Sequence, residues 1–246
     1  MSSNTNNSNE NGEDVKRLKQ TSDSAVPSSL KVIAVGKMVQ LASHPVVQHK
    51  LTQLRRAETS TKHFRELVSE ITLYLGFEAT RDLEVEELVV STPMCKATGY
   101  SLASKVAFVP IMRGGLGLVE SMLTIVPMAQ VHHIGMYNNP ESLLPVLYYN
   151  KLPRECSSEY VIVLDIIVGS GATLIATVDL VKEWCQSNPK TKIKVVTIIL
   201  SRLGLNKFSS AHPDVPIHAA ALDDGFESGT PVPGIGDAGV RMFNAD

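Results

Sequence analysis

No long apolar run occurs in the chain, cysteine is scarce, and neither sign of charge dominates. No apolar stretch approaches the ~18–20 residues that a membrane-spanning helix needs. The first residues hold no apolar segment of the secretory type, so a soluble cytoplasmic protein is the expectation. The cysteines are Cys95, Cys156 and Cys185, an odd number without metal-ligand spacing. Such a set implies buried free thiols in a reducing compartment rather than a disulfide framework. The formal net charge of −2 argues against nucleic acid or a membrane surface as the main partner.

With 43% hydrophobic residues over 246 positions, the chain can bury one sizeable core. Residues 1–29 are rich in Asn, Ser, Glu and Lys and poor in large apolar side chains. Such a segment cannot offset its ordering entropy and reads as a disordered tail, either merely solvated or a docking arm. Residues 30–246 read as the folded domain. Val46, Val47, Leu51 and Leu54 make one apolar stripe at helical spacing. Phe64, Leu67, Val68, Ile71 and Leu75 make a second. Beyond Lys105 the pattern changes to short apolar runs: Val106–Met112, Val131–Met136, Tyr160–Leu164, Ile193–Leu200 and Ile217–Leu222. Helical stretches follow the first and third of them. Strands of this kind alternating with helices predict an α/β fold with a mainly parallel sheet buried on both faces. Residues 143–153, punctuated by proline, read as either a β-hairpin arm or a connecting loop.

Three glycine-containing segments carry the chemistry. Asp165 ends an apolar strand and is followed by Gly169-Ser170-Gly171-Ala172-Thr173 at the start of a helix. Small residues let main-chain N–H groups close on an anion, and the helix adds its positive end. Ser170 and Thr173 add hydroxyls, which suits a monoester phosphate. The segment is not a Walker A loop, because Ala172 stands where that motif has lysine. The second segment, Pro110–Gly117, sets Arg113 among glycines at another strand-to-helix turn, a favourable place for pyrophosphate. The third, Val232–Gly239, is a backbone-dominated loop that can read a flat polar ring through its own N–H and C=O groups.

In this order, over His44 to Phe243, the segments resemble uracil phosphoribosyltransferase. Further matches are His44-Pro45, His49-Lys50-Leu51, Ser60-Thr61-Lys62, Phe64-Arg65-Glu66-Leu67, His133-Ile134-Gly135-Met136-Tyr137 and Tyr148–Pro153. The resemblance implies a type I phosphoribosyltransferase fold with flanking helices, a C-terminal hood and a β-hairpin arm used in forming a homodimer or homotetramer. It implies uracil and PRPP as substrates and Mg²⁺ as cofactor, brought by PRPP rather than ligated directly by side chains. It implies that PRPP meets Arg113, Asp165, Ile166, Ile167, Val168, Gly169, Ser170, Gly171, Ala172, Thr173 and Asp237. It implies that uracil meets Pro231, Gly236, Asp237 and Ala238, with Asp165 and Asp237 carrying the chemistry. Some members of that family are activated by GTP, a property that no motif here carries over.

The chain departs from the family pattern at several positions. Asn138 replaces an arginine that contacts PRPP. Thr230 and Pro231 replace a tyrosine and an aliphatic residue, and proline has no N–H to offer the base. Ile166 replaces a proline, Val240 an acidic residue, and Ser201–Leu205 an Ala-Pro-Glu-Gly-like turn. These departures leave two readings: an enzyme with a divergent site, or a non-catalytic homologue acting as a binding or regulatory subunit. A purine as the base fits the Gly234 loop less well. His132, His133 and His218 read as structural, and Asp223-Asp224 as a solvated turn.

Overall fold

The computed structural model describes residues 38–139 and 144–244. The polar tail expected at 1–29 lies outside the described residues. The order of elements is β1 (Val39–Leu41), α1 (Pro45–Arg55), α2 (Thr61–Ala79), β2 (Val85–Ser91), β3 (Lys96–Leu102), β4 (Val106–Met112) and α3 (Leu116–Ile125). There follow β5 (Gln130–Val131), β6 (Ile134–Asn138), β7 (Pro145–Asn150), β8 (Tyr160–Val168), α4 (Ala172–Trp184) and β9 (Lys192–Ser201). The chain continues through α5 (Arg202–Ala211), β10 (Ile217–Asp223), β11 (Gly225–Glu227), β12 (Thr230–Val232) and α6 (Ala238–Phe243).

The main sheet runs β1-β10-β9-β8-β4-β6-β7, with β5 also on β4. Its pairs are parallel except β6 with β7. Burial on both faces accounts for the unbroken apolar runs. In β8, Ile162, Leu164 and Ile166 join the side chains of α1, α2, α3 and α6 in one core. Val161 and Val163 join α4 and α5 in the other.

Local sequence accounts for the helix ends. His44 caps α1 through Nδ1, which accepts from the Val46 N–H, and Pro45 follows where a missing N–H costs nothing. Ser60 caps α2 and Ser201 caps α5 in the same manner. The stripe Phe64, Leu67, Val68, Ile71 and Leu75 is buried throughout, and each such side chain contributes roughly 1.5–3 kcal/mol by leaving water.

Residues 145–150 form the second strand of the β6–β7 hairpin. Another hairpin, β2–β3, was not anticipated. It pairs with itself alone among the described residues and exposes Val89, Met94 and Tyr100. The cysteine expectation needs one correction. Cys156 and Cys185 are buried with their sulfurs 3.7 Å apart, whereas Cys95 is exposed, because it lies in the turn joining β2 to β3. No helix among the described residues is long and apolar enough to cross a membrane.

Candidate active site

The carboxyl ends of the parallel strands gather the chemical groups, as open α/β sheets require. Strand β8 runs to Val168, further than its first apolar run suggests, so the turn proper is Gly169-Ser170-Gly171. Gly171 takes φ +83°, and a β-carbon there would meet the Gly204 carbonyl oxygen at 2.9 Å. No side chain caps α4 at Gly171 itself, the Ala172 N–H donates to Ser170 Oγ at 3.4 Å, and the positive helix end stands at the turn. From below, Ser201 Oγ donates to the Gly169 carbonyl (2.5 Å) and accepts from the Gly204 N–H (2.8 Å). The first turn of α5 thereby supports the glycine turn.

A polar pocket of about 160 Å³ opens above this turn. It is lined by Asp165, Ile167, Val168, Gly169, Ser170, Gly171, Thr173, Leu174, Asn138 and Gly229. Ala172 heads α4 beside it. Ile166 does not line it: its side chain is fully buried in the core, against Gly117 of α3. Asn138, on β6, accepts a hydrogen bond from the Thr173 hydroxyl at 3.0 Å. Among the described residues the Asp165 carboxylate pairs with no cation and accepts from the Ile166 N–H at 2.8 Å. Burial pushes its carboxyl up to about 7, against the smaller opposing pull of the Ile166 and Ile167 amides.

The other two segments come to the same cleft. A β-carbon on Gly114 would lie 3.0 Å from Asp165 Oδ1, which places the Arg113 turn directly against β8 at Asp165. A β-carbon on Gly239 would lie 3.1 Å from Asp237 Oδ1 and 3.4 Å from Arg113 Nη2. Arg113 and Asp237 therefore stand side by side, both exposed. Asp237 also caps α6, with Oδ1 accepting from the Val240 N–H at 2.9 Å. Its loop is thus the entry to a helix, not wholly free of regular structure as its glycines suggested. Pro231 and Ala238 are buried, while Gly236 is exposed at φ +72°.

Some residues that drew no functional reading hold this region together. Asp223 is only 3% exposed, contrary to the solvated turn expected for it, because Arg55 of α1 forms a bidentate pair with it. Asp224 is exposed and pairs with Arg202. Arg241 of α6 donates to the carbonyls of Leu54, Arg56 and Ile235, and its guanidinium lies 4.4 Å over the Phe64 ring. His218 is buried near Lys194, and its Nδ1 meets no hydrogen-bond partner among the described residues.

Comparison with known proteins identifies the family and the fold. The family model described as uracil phosphoribosyltransferase matches residues 41–245. The uracil phosphoribosyltransferase of Roseiflexus castenholzii is 45% identical over 208 residues, covering 84% of this chain and 98% of its own. That of Streptococcus mutans is 45% identical over 211 residues, covering 85% and 99%. Among solved structures, the AQ2163 protein from Aquifex aeolicus superposes with a TM-score of 0.77 at 31% identity, covering 85% of this chain and 99% of that one. Adenine phosphoribosyl transferase from Trypanosoma brucei shares the fold, with a TM-score of 0.51 at 12% identity over 84% of this chain and 91% of that one. The architecture is that of the type I phosphoribosyltransferases, and the chain belongs to the uracil phosphoribosyltransferase family.

Proposed function

We propose that the protein transfers ribose 5-phosphate from PRPP to uracil, forming UMP and releasing pyrophosphate. The observation that carries this reading is the meeting of three turns at the carboxyl end of the sheet: the Gly169–Gly171 nest, the Arg113 turn and the Asp237 loop. The 5-phosphate rests on the amides of Gly169, Ser170 and Gly171 and on the first turn of α4, with the Thr173 hydroxyl beside it. Arg113 faces the departing pyrophosphate. Asp165 holds the ribose hydroxyls while the anomeric carbon gains oxocarbenium character. The main chain of Gly236 and Ala238, with the Pro231 carbonyl, orients uracil so that its ring nitrogen attacks that carbon. Proximity and preorganised charge supply the rate, and no nucleophilic side chain is required.

The Asp165 carboxylate, held on one side by the Ile166 amide and open to the pocket, fits the water shell of a divalent cation. Asp237, beside Arg113, would face the same ion. Mg²⁺ arriving with PRPP would offset charge on the leaving group.

We assign the enzyme a homo-oligomeric state. Leu147, Tyr148 and Tyr149 on β7, and Val89 and Tyr100 on the β2–β3 hairpin, are exposed apolar side chains of the kind a second copy would cover. Sedimentation of the purified protein tests this.

The decisive assay mixes protein, PRPP, Mg²⁺ and radiolabelled uracil and measures UMP, with and without GTP as a possible effector. Product formation supports the reading. PRPP binding by calorimetry without product would favour a binding or regulatory homologue.

A further inference from the structure

The base loop is read above as the element that orients uracil, and the present inference rests on that reading. What holds the loop in place is a pair of side chains that do not line the pocket at Gly169–Thr173. Asp223 closes β10, and both of its oxygens are engaged. Oδ1 accepts from Arg55 Nη2 at 2.6 Å. Oδ2 accepts from Arg55 Nη1 at 2.9 Å and from the Gly234 N–H at 2.8 Å. Arg55 Nη1 donates in addition to the Gly234 carbonyl at 2.7 Å. Both main-chain polar groups of Gly234 are therefore fixed by one ion pair. Gly234 sits at φ +60°, so tightly turned that a β-carbon would collide with the Pro231 carbonyl oxygen. Setting Gly234 thus sets Pro231 on one side and Ile235 to Ala238 on the other.

A largely buried ion pair is a weak source of stability, since apolar residues of similar volume serve as well. Its advantage is direction: a planar guanidinium fork against a carboxylate admits one geometry. A loop that reads its ligand through main-chain atoms needs such an external reference, because it has few side chains of its own to lock it. The phosphate turn is braced by different groups, Ser201 and Gly204, and the hydrogen bonds that brace it involve neither Arg55 nor Asp223.

We infer that Arg55 and Asp223 are positioning residues for the base: they register residues 231–238 against the edge of the sheet and so govern uracil recognition without governing that of PRPP. The effect of breaking the pair should fall on one substrate.

The test uses the full-length enzyme with Arg55→Gln, Arg55→Lys and Asp223→Asn. Arg55→Gln should raise KM for uracil by about tenfold or more, the scale of losing a charge-assisted contact, and leave KM for PRPP within about twofold. Arg55→Lys keeps the charge but not the fork and should fall between. A parallel rise in both KM values, a fall in kcat alone, or unchanged kinetics would overturn the assignment. Should Asp223→Asn not fold, the two Arg55 variants carry the test, since Arg55 is partly exposed. Amide hydrogen exchange supplies an arm independent of turnover. Arg55→Gln should accelerate exchange at residues 234–238 and spare 169–173, and equal protection of 234–238 in both proteins would sink the inference. If the wild-type protein makes no UMP, the enzymatic reading fails on that control, while exchange still decides whether the pair holds the loop.

Discussion

The Thr173 hydroxyl donates to the Asn138 side-chain oxygen at 3.0 Å, tying the phosphate turn to the end of β6. Asn138 thus lines the phosphate pocket at a position where the family resemblance expects an arginine. Asn138→Arg should restore a charge-assisted contact worth about 1.5 kcal/mol or more. KM for PRPP should then fall roughly tenfold. Steady-state kinetics checks this, and an unchanged KM would place Asn138 outside the PRPP contact set.

Asp237 has two tasks, and one substitution separates them. Asparagine caps a helix as well as aspartate does, so Asp237→Asn should leave the start of α6 and the melting temperature nearly unchanged. Turnover should drop by about 100-fold or more if the charge faces PRPP and its metal. Wild-type turnover in this variant would remove Asp237 from the site.

In the ligand-free protein, Asp165 should contribute stability that is lost as pH rises from about 4 to about 7. Burial raises the Asp165 carboxyl from its ordinary 3.8 to about 7. Between those values the folded chain holds a proton that the unfolded chain has released, so this contribution falls with rising pH and levels off above 7. Because His218 bears on the same range in the opposite sense, urea unfolding of Asp165→Asn should show stability rising more steeply with pH than in the wild type. Identical profiles would refute the raised value.

His218 acts in the opposite sense. Burial is the main cause, with nearby Lys194 assisting, and together they lower its imidazole from the ordinary 6.5 to about 4. The unfolded chain takes up a proton in that window and the folded chain does not, so stability falls as pH drops from 6.5 to 4. His218→Gln should lessen that acid-side loss in the same unfolding measurement.

Two glycines with similar backbone angles should differ sharply when replaced. Gly171 at φ +83° has the Gly204 main chain against the site of a β-carbon, whereas Gly229 at φ +85° has open space. Gly229→Ala should cost only the left-handed strain of about 1–2 kcal/mol. Gly171→Ala adds displacement of α5 from the phosphate turn and should weaken PRPP binding as well. Calorimetry with PRPP distinguishes the two.

Legibility in the sequence varied with the range of the cause. The stripe of α2 and the apolar run of β4 were readable because both faces of the sheet and one face of the helix bury a periodic pattern. The extent of β8 was underread, since Asp165 looked like a terminus although the strand continues through Ile166–Val168. Helix α5 was missed. Only Gly204, Leu205 and Phe208 of its ten residues are buried, too few to signal a helical period. The β2–β3 hairpin was missed because most residues of β2 are exposed on both sides, which leaves no alternation to read.

The sequence alone determined the α/β class and the three glycine segments, because each depends on residues within a few positions of one another. Which groups share the cleft was settled only by the tertiary structure. Arg113 comes to Asp237, and Arg55 pairs with Asp223 across 168 positions of chain. No local pattern encodes such a partner, because its position is fixed by how the strands and helices between them pack.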